Sequence, residues 1–358
     1  MRKLLVLLSA VALMVAFTVP AIAADKSVSF YGRVWMDTFF EDRSKEATGT
    51  NFDDSDLRWD VQDNGTSRFG AMFKWDNMSA NVEIRPWSAS VYRQWWGMWD
   101  FGGGSLLIGH TWSPLYLNAT ICGQCEAGGT AGGYGFWVGD LRQAQFQLRV
   151  GGLTVALVEP NRPTVTGAAG YDVDTTIPKL EATYSLKLGS IALVPFLGWS
   201  SVDIVNTATD ASYGVDGMVY GITAKAGFGP GYVNGQIWMT QNGKEWGDLY
   251  HTGLGAFFDG TKVVDEDGMG FGLTAGMKFS DTMSFEVGYG SVEYELDRPG
   301  TWEDDASSMY AQLNITIAKG FTVTPEIGKI DYGEQINNGV VTKEGEMTYY
   351  GAVWKIHF

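Results

Sequence analysis

Along most of the chain, apolar and polar residues alternate with a period of two, which is the signature of strands with one apolar and one polar face. In residues 68–75, Phe69, Ala71, Phe73 and Trp75 share one face, and Arg68, Gly70, Met72 and Lys74 share the other. Residues 79–85 set Ala80, Val82 and Ile84 against Asn81, Glu83 and Arg85. Residues 141–150 set Ala144, Phe146, Leu148 and Val150 against Gln143, Gln145, Gln147 and Arg149. The pattern predicts sixteen strands, near 28–40, 57–75, 79–87, 91–100, 104–110, 141–150, 152–159, 177–188, 190–200, 215–228, 231–241, 268–280, 282–296, 307–318, 320–331 and 346–358. Tight links such as Asp76-Asn77, Gly151-Gly152, Gly229-Pro230-Gly231 and Lys319-Gly320 join some neighbours. Others are joined by long polar segments, the longest being 111–140. From residue 105 onward short and long links largely alternate, as in an up-and-down barrel with turns at one rim and loops at the other. The fold class read from this is all-β: an antiparallel barrel of about sixteen strands with a long connector after the fifth.

Periodicity alone does not say whether the apolar face looks inward, as in a soluble fold, or outward to lipid. Composition and targeting change that picture. Residues 1–24 open with Arg2 and Lys3, run apolar from Leu4 to Val19, and end in small residues, so they read as a signal peptide, with the barrel over 25–358. Beyond them no stretch is long and apolar enough for a membrane helix. Glycine is 47 of 358 residues, aromatics are 14% and charged residues only 18%, which suits closely packed strands with aromatic rims. Phe39-Phe40, Trp75, Trp87, Trp99, Trp199, Tyr310 and Trp354 fall near strand ends, where membrane interfaces favour such rings. A net charge of −16 argues against a nucleic-acid partner. Together these features favour a transmembrane barrel, with both termini at the turn rim.

Several short motifs carry a family likeness. Tyr31-Gly32-Arg33, Ser67-Arg68-Phe69-Gly70, Tyr92-Arg93-Gln94 with Gly97, and Phe101-Gly102 leading to Leu107-Ile108-Gly109-His110 resemble the general porins of Gram-negative bacteria. The terminal Phe358 matches that family's C-terminal signal for the barrel-assembly machinery. The resemblance implies an outer-membrane homotrimer, in contact with lipid and lipopolysaccharide, whose water-filled pores pass ions and small hydrophilic solutes without any cofactor. It implies that the connector 111–140 folds inward to narrow the pore, bringing Glu126 and Asp140 opposite a basic wall at the positions of Arg33, Arg68, Arg93 and Arg142. Acids facing guanidinium groups across a narrow gap set up a transverse field that sorts solutes by charge and polarity. Alternation supports Arg33 and Arg68 as pore-facing, but in the strand of Arg142 it favours Gln143, Gln145, Gln147 and Arg149. Two departures are His110, where the family often has Arg, and the very short connector at Ser88-Ala89-Ser90, which in trimeric porins often latches the neighbour.

Cys122-Gly123-Gln124-Cys125 lies in the same connector and is spaced for a small loop-stiffening disulfide, with free thiols as the alternative. The clusters Asp53-Asp54-Asp56, Asp265-Glu266-Asp267 and Glu303-Asp304-Asp305 read as solvated outer loops rather than metal sites. His110, His251 and His357 do not assemble into a nucleophile and base with an orienting group, so no catalytic residue is expected. The leading expectation is a passive diffusion channel. A substrate-selective channel using Tyr134, Phe136 and Trp137, or a closed anchoring barrel, are the alternatives.

Overall fold

The computed structural model describes residues 26–61, 67–85, 92–119, 133–138, 142–160, 165–246, 253–297 and 302–358. Sixteen antiparallel strands close into one barrel, each bonded to the next in chain order and the last bonded back to the first. They are β1 (Lys26–Arg43), β2 in two pieces (Asp54–Val61 and Arg68–Trp75), β3 (Met78–Ile84), β4 (Tyr92–Asp100), β5 (Ser105–Trp112), β6 (Arg142–Val150), β7 (Leu153–Val158) and β8 (Lys179–Tyr184, continued by Leu186–Leu188). The ring continues through β9 (Ile191–Asn206), β10 (Ser212–Phe228), β11 (Gly231–Gln241), β12 (Glu266–Lys278), β13 (Met283–Leu296), β14 (Trp302–Ala318), β15 (Phe321–Asp331) and β16 (Glu346–His357). Closure matters because an open sheet edge has no partner for its N–H and C=O groups in lipid.

The two faces of each strand are opposite in character. On β12, Leu273 is 54% exposed while the next residue, Thr274, is 1% exposed. The exposed set is apolar all round the ring: Val34, Ile108, Phe146, Leu197, Ile237, Val287, Met309 and Ile327. The buried set includes Gln147, Glu181, Thr223, Gln236, Glu286 and Gln312. Apolar outside and polar inside is the arrangement for a barrel solvated by lipid.

At the turn rim the tight links use residues with positive φ, among them Gly151 (58°), Gly189 (64°) and Gly229 (56°). The seam is finished by Phe358, which exchanges backbone hydrogen bonds of 2.8 and 3.1 Å with Gly32. Its ring lies over that glycine, where a Cβ would collide with it. A second use of glycine recurs inside. Tyr31 on β1 crosses Gly70 on β2 and donates to Glu83 on β3 at 2.9 Å. Tyr232 on β11 crosses Gly276 on β12 and donates to Glu286 on β13 at 2.7 Å. In both places a flat phenol ring covers the strand between, which leaves no room for a side chain there.

Two expectations from the sequence are corrected. Residues 266–267 and 303–305 are strand, not loop, because alternation persists above the apolar belt. Glu266 and Asp304 turn inward and are buried, whereas Asp267 and Asp305 point out into water. Phe39 and Tyr310 are not interface residues either: both are buried in the barrel interior, whereas Phe40 and Trp354 face outward. The interior toward the loop rim is largely filled. Trp238, Trp246, Tyr294, Trp302, Ile330 and Met347 pack with Leu115 and Tyr134 of the long connector into one apolar cluster.

Candidate pore constriction

The basic wall is built from neighbouring strands. Arg33 on β1 pairs in register with Arg68 on β2, and both are half-buried on the inner face. Next comes Glu83 on β3, 2% exposed, which is the hub of the wall. Arg68 Nε lies 3.3 Å from its Oε2, and Arg93 Nε lies 2.6 Å from its Oε1. Tyr31 and Gln94 donate to the same carboxylate, Gln94 at 3.3 Å. Strict alternation could not bring in both Arg93 and Gln94, since adjacent residues point to opposite faces. The register between β3 and β4 shifts at this place: Glu83 pairs with Gln94 and Ile84 with Tyr92, leaving Arg93 as the extra residue of a bulge. The bulge turns Arg93 inward, and its side chain is 1% exposed.

Arg142 joins the same wall from β6. Its guanidinium carbon sits 4.2 Å from the centre of the Trp112 ring, and that of Arg93 sits 5.9 Å from the same ring. Trp112 in turn stacks on Tyr116 with ring centres 3.8 Å apart. Arg149 also faces inward, donating to Gln147 Oε1 at 2.6 Å. Periodicity and family likeness thus point to two different arginines of one strand: Arg142 stands at the constriction, whereas Arg149, in register with Ser105, lines the pore near the turn rim. On the other side of Arg33, the Trp35 ring carries Arg33 at 4.5 Å and Lys355 of β16 at 3.9 Å. The result is an arc of cations from β16 through β1 to β6: Lys355, Arg33, Arg68, Arg93 and Arg142. Further toward the loop rim, Asp37 and Glu41 are taken up by Arg58 at 3.3 and 3.0 Å, with Arg43 also on Glu41.

The long connector leaves β5 and reaches the opposite wall. Leu115 N–H donates to Glu181 Oε2 on β8 at 3.3 Å, and Leu115 packs beside Trp246 over Gly198 of β9. The Ala119 carbonyl accepts from Thr274 Oγ1 on β12 at 2.8 Å, and the Gly135 carbonyl accepts from Gln236 Nε2 on β11 at 2.9 Å. Phe136 meets Tyr310 of β14 edge to face at 5.5 Å. In a ring of sixteen, β13 stands directly across from β5. The connector therefore crosses the interior: Leu115, Ala119, Gly135 and Phe136 pack on β8–β14, whereas Tyr116 stays on Trp112 beside the cationic arc of β16–β6.

Of the residues expected at the constriction, Arg33, Arg68, Arg93 and Arg142 come together on one wall. Glu126, Asp140, Cys122 and Cys125 lie outside the described residues, as do residues 1–25. Tyr134, Phe136 and Trp137 are buried, Tyr134 and Phe136 against β14 of the far wall and Trp137 against Tyr116 of the connector. Glu83, Trp112 and Lys355 were not among the expected site residues, and Trp112 and Lys355 escape a strand-by-strand reading. Glu83 was findable, because alternation puts it on the polar face between the strands of Arg68 and Arg93.

A closed lipid-facing barrel with a charged interior crossed by its own loop defines an outer-membrane channel. The family model of the Gram-negative porins matches residues 10–356, and the chain belongs to that family. It is a porin of the outer membrane, a channel for passive diffusion. Among solved structures it is similar to the outer membrane channel DcaP of Acinetobacter baumannii, at 14% identity and TM-score 0.70, covering 93% of this chain and 97% of that one. An anion-selective porin from Comamonas acidovorans matches at 13% identity and TM-score 0.60, covering 93% and 100%. OmpT of Vibrio cholerae matches at 15% identity and TM-score 0.58, covering 96% and 100%. These likenesses concern the fold. No curated protein matches by sequence.

Proposed function

We propose that this porin passes small hydrophilic solutes with a preference for anions, set by the arc Lys355, Arg33, Arg68, Arg93 and Arg142. The observation that carries the reading is the run of inward-facing cations on neighbouring strands, with Arg33 in register with Arg68, and Arg68 and Arg93 both held on Glu83. The net charge of the whole chain, −16, has the opposite sign. Local charge at the narrowest part governs ion preference, because the Debye length is only ~8 Å at physiological salt. Exposed acids such as Asp267 and Asp305 at the loop rim are screened from the constriction. Glu126 and Asp140 complete the gap from the loop side in this reading, and a Cys122–Cys125 disulfide stiffens that loop.

The mature chain in this reading spans 25–358 after loss of the signal peptide, inserts through recognition of Phe358 by the barrel-assembly machinery, and works as a homotrimer among lipopolysaccharide. It has no catalytic activity and needs no cofactor. Reversal potential across a bilayer with a tenfold potassium chloride gradient tests the preference. The expected sign is that of chloride permeation. A potassium sign would overturn the reading.

A further inference from the structure

The connector lies closer to the far wall than side chains would allow, and a pair of glycines is the cause. Gly272 on β12 and Gly290 on β13 stand opposite each other in register, both buried on the inner face. A Cβ on Gly290 would collide with the Tyr134 carbonyl oxygen, and one on Gly272 would fall 2.7 Å from that of Gly135. The fit is the same from the other side. Gly135 holds φ at 75°, and a Cβ there would collide with the Phe271 carbonyl oxygen. Backbone therefore packs on backbone across three glycines.

We propose that the Gly272–Gly290 pair sets the bore of the channel, because it lets the connector sink onto the far wall and so keeps the gap along the cationic arc open. This rests on the passage of solutes along that arc, whatever the sign of their charge. Hydrogen bonds hold the connector in the seat: Gln236 donates to the Gly135 carbonyl at 2.9 Å and Thr274 to that of Ala119 at 2.8 Å. Ala119 N–H donates to the Phe136 carbonyl at 3.1 Å, which ties the two limbs of the connector together. The Phe136 ring, 0% exposed, covers the glycine pair. β12 and β13 are bonded to neighbours on both sides, so the wall does not give. A methyl group wedged into close packing of this kind displaces the freer partner, and the connector moves toward the arc.

Gly290→Ala and Gly290→Val test this, read by single-channel conductance and by the largest polyethylene glycol that enters the pore and lowers its current. Conductance is expected to fall to roughly half in the alanine variant and further in the valine one, as the open cross-section shrinks. The polymer cut-off falls with it, and the sign of the reversal potential stays native. Gly276→Ala on β12 is the control, since its methyl meets the Tyr232 ring and not the connector, and it is expected to keep native conductance and cut-off. Gly135→Ala drives the same wedge from the loop side and leaves every barrel strand native, so it carries the test if the Gly290 variants do not assemble; the same fall is expected. Native or raised conductance and cut-off in the variants that wedge the connector overturn the proposal. So does an equal fall in Gly276→Ala, because crowding at any inward glycine would then suffice. A native barrel that inserts without conducting removes the passage itself, before any variant is made.

Discussion

Replacing Arg68 and Arg142 together by glutamate is expected to turn the channel from anion-preferring to cation-preferring. The double change moves the constriction by four charge units at one level of the pore. Each unit acts over a few ångströms, where even fully solvated charges interact by about 1 kcal/mol and partly buried ones by more. A roughly tenfold or larger change in the chloride-to-potassium permeability ratio follows, with a change in the sign of the reversal potential. Both side chains are half-buried rather than enclosed, so the barrel is expected to assemble. The reading of the arc fails if the ratio stays at its native value in a variant that still conducts. Arg93 is the wrong residue for this experiment, because it is sealed behind Glu83 and its loss acts on stability as well.

Glu83→Gln is expected to be the most destabilising single change in the wall. The carboxylate accepts from Arg68, Arg93, Tyr31 and Gln94 at a site 2% exposed. An amide of the same shape keeps some hydrogen bonds but cancels the charge, leaving Arg93 buried beside Arg68 with no counter-ion. Breaking a buried pair in this way costs roughly 3–5 kcal/mol. In detergent, this is read as a clear fall in the unfolding temperature of the barrel. Removing both partners, as in Glu83→Gln with Arg93→Met, is expected to recover most of the loss, since no uncompensated charge remains buried. If the double variant is as unstable as the single one, the ion pair is not what holds β2, β3 and β4 at this level.

Much of the fold was legible because a lipid-facing barrel writes its alternation over long stretches. β10, β11, β13, β15 and β16 lie close to where the pattern put them. The misplaced boundaries have one cause. β9, β12 and β14 continue above the membrane, where the outward face no longer needs to be apolar and polar or acidic residues look like loop. The basic wall was half legible. Arg33 and Arg68 obey the alternation. Arg93 does not, because a bulge is a register event between two strands that neither strand shows by itself. Trp112 and Lys355 escaped for a related reason, since each acts across strands distant in sequence: Lys355 meets Trp35 only because β16 closes on β1. Phe39 and Tyr310 were assigned to the membrane rim by residue type, but their positions on the inner face decide otherwise.

The described part of the connector and the apolar cluster, which runs from Trp238, Trp246 and Trp302 to Trp35 and Phe39 of β1 and Tyr349 of β16, fill much of the interior toward the loop rim, so the claim that matters most is that water and ions still pass along the cationic arc. Single-channel recording of the purified protein in a planar bilayer tests this most directly. The account predicts discrete insertion steps, with current proportional to voltage and a conductance that falls when Arg68 and Arg142 are both exchanged for glutamate in chloride. Insertion without conductance, in bilayers where the folded barrel is present, would mean that the connector closes the lumen and would contradict it.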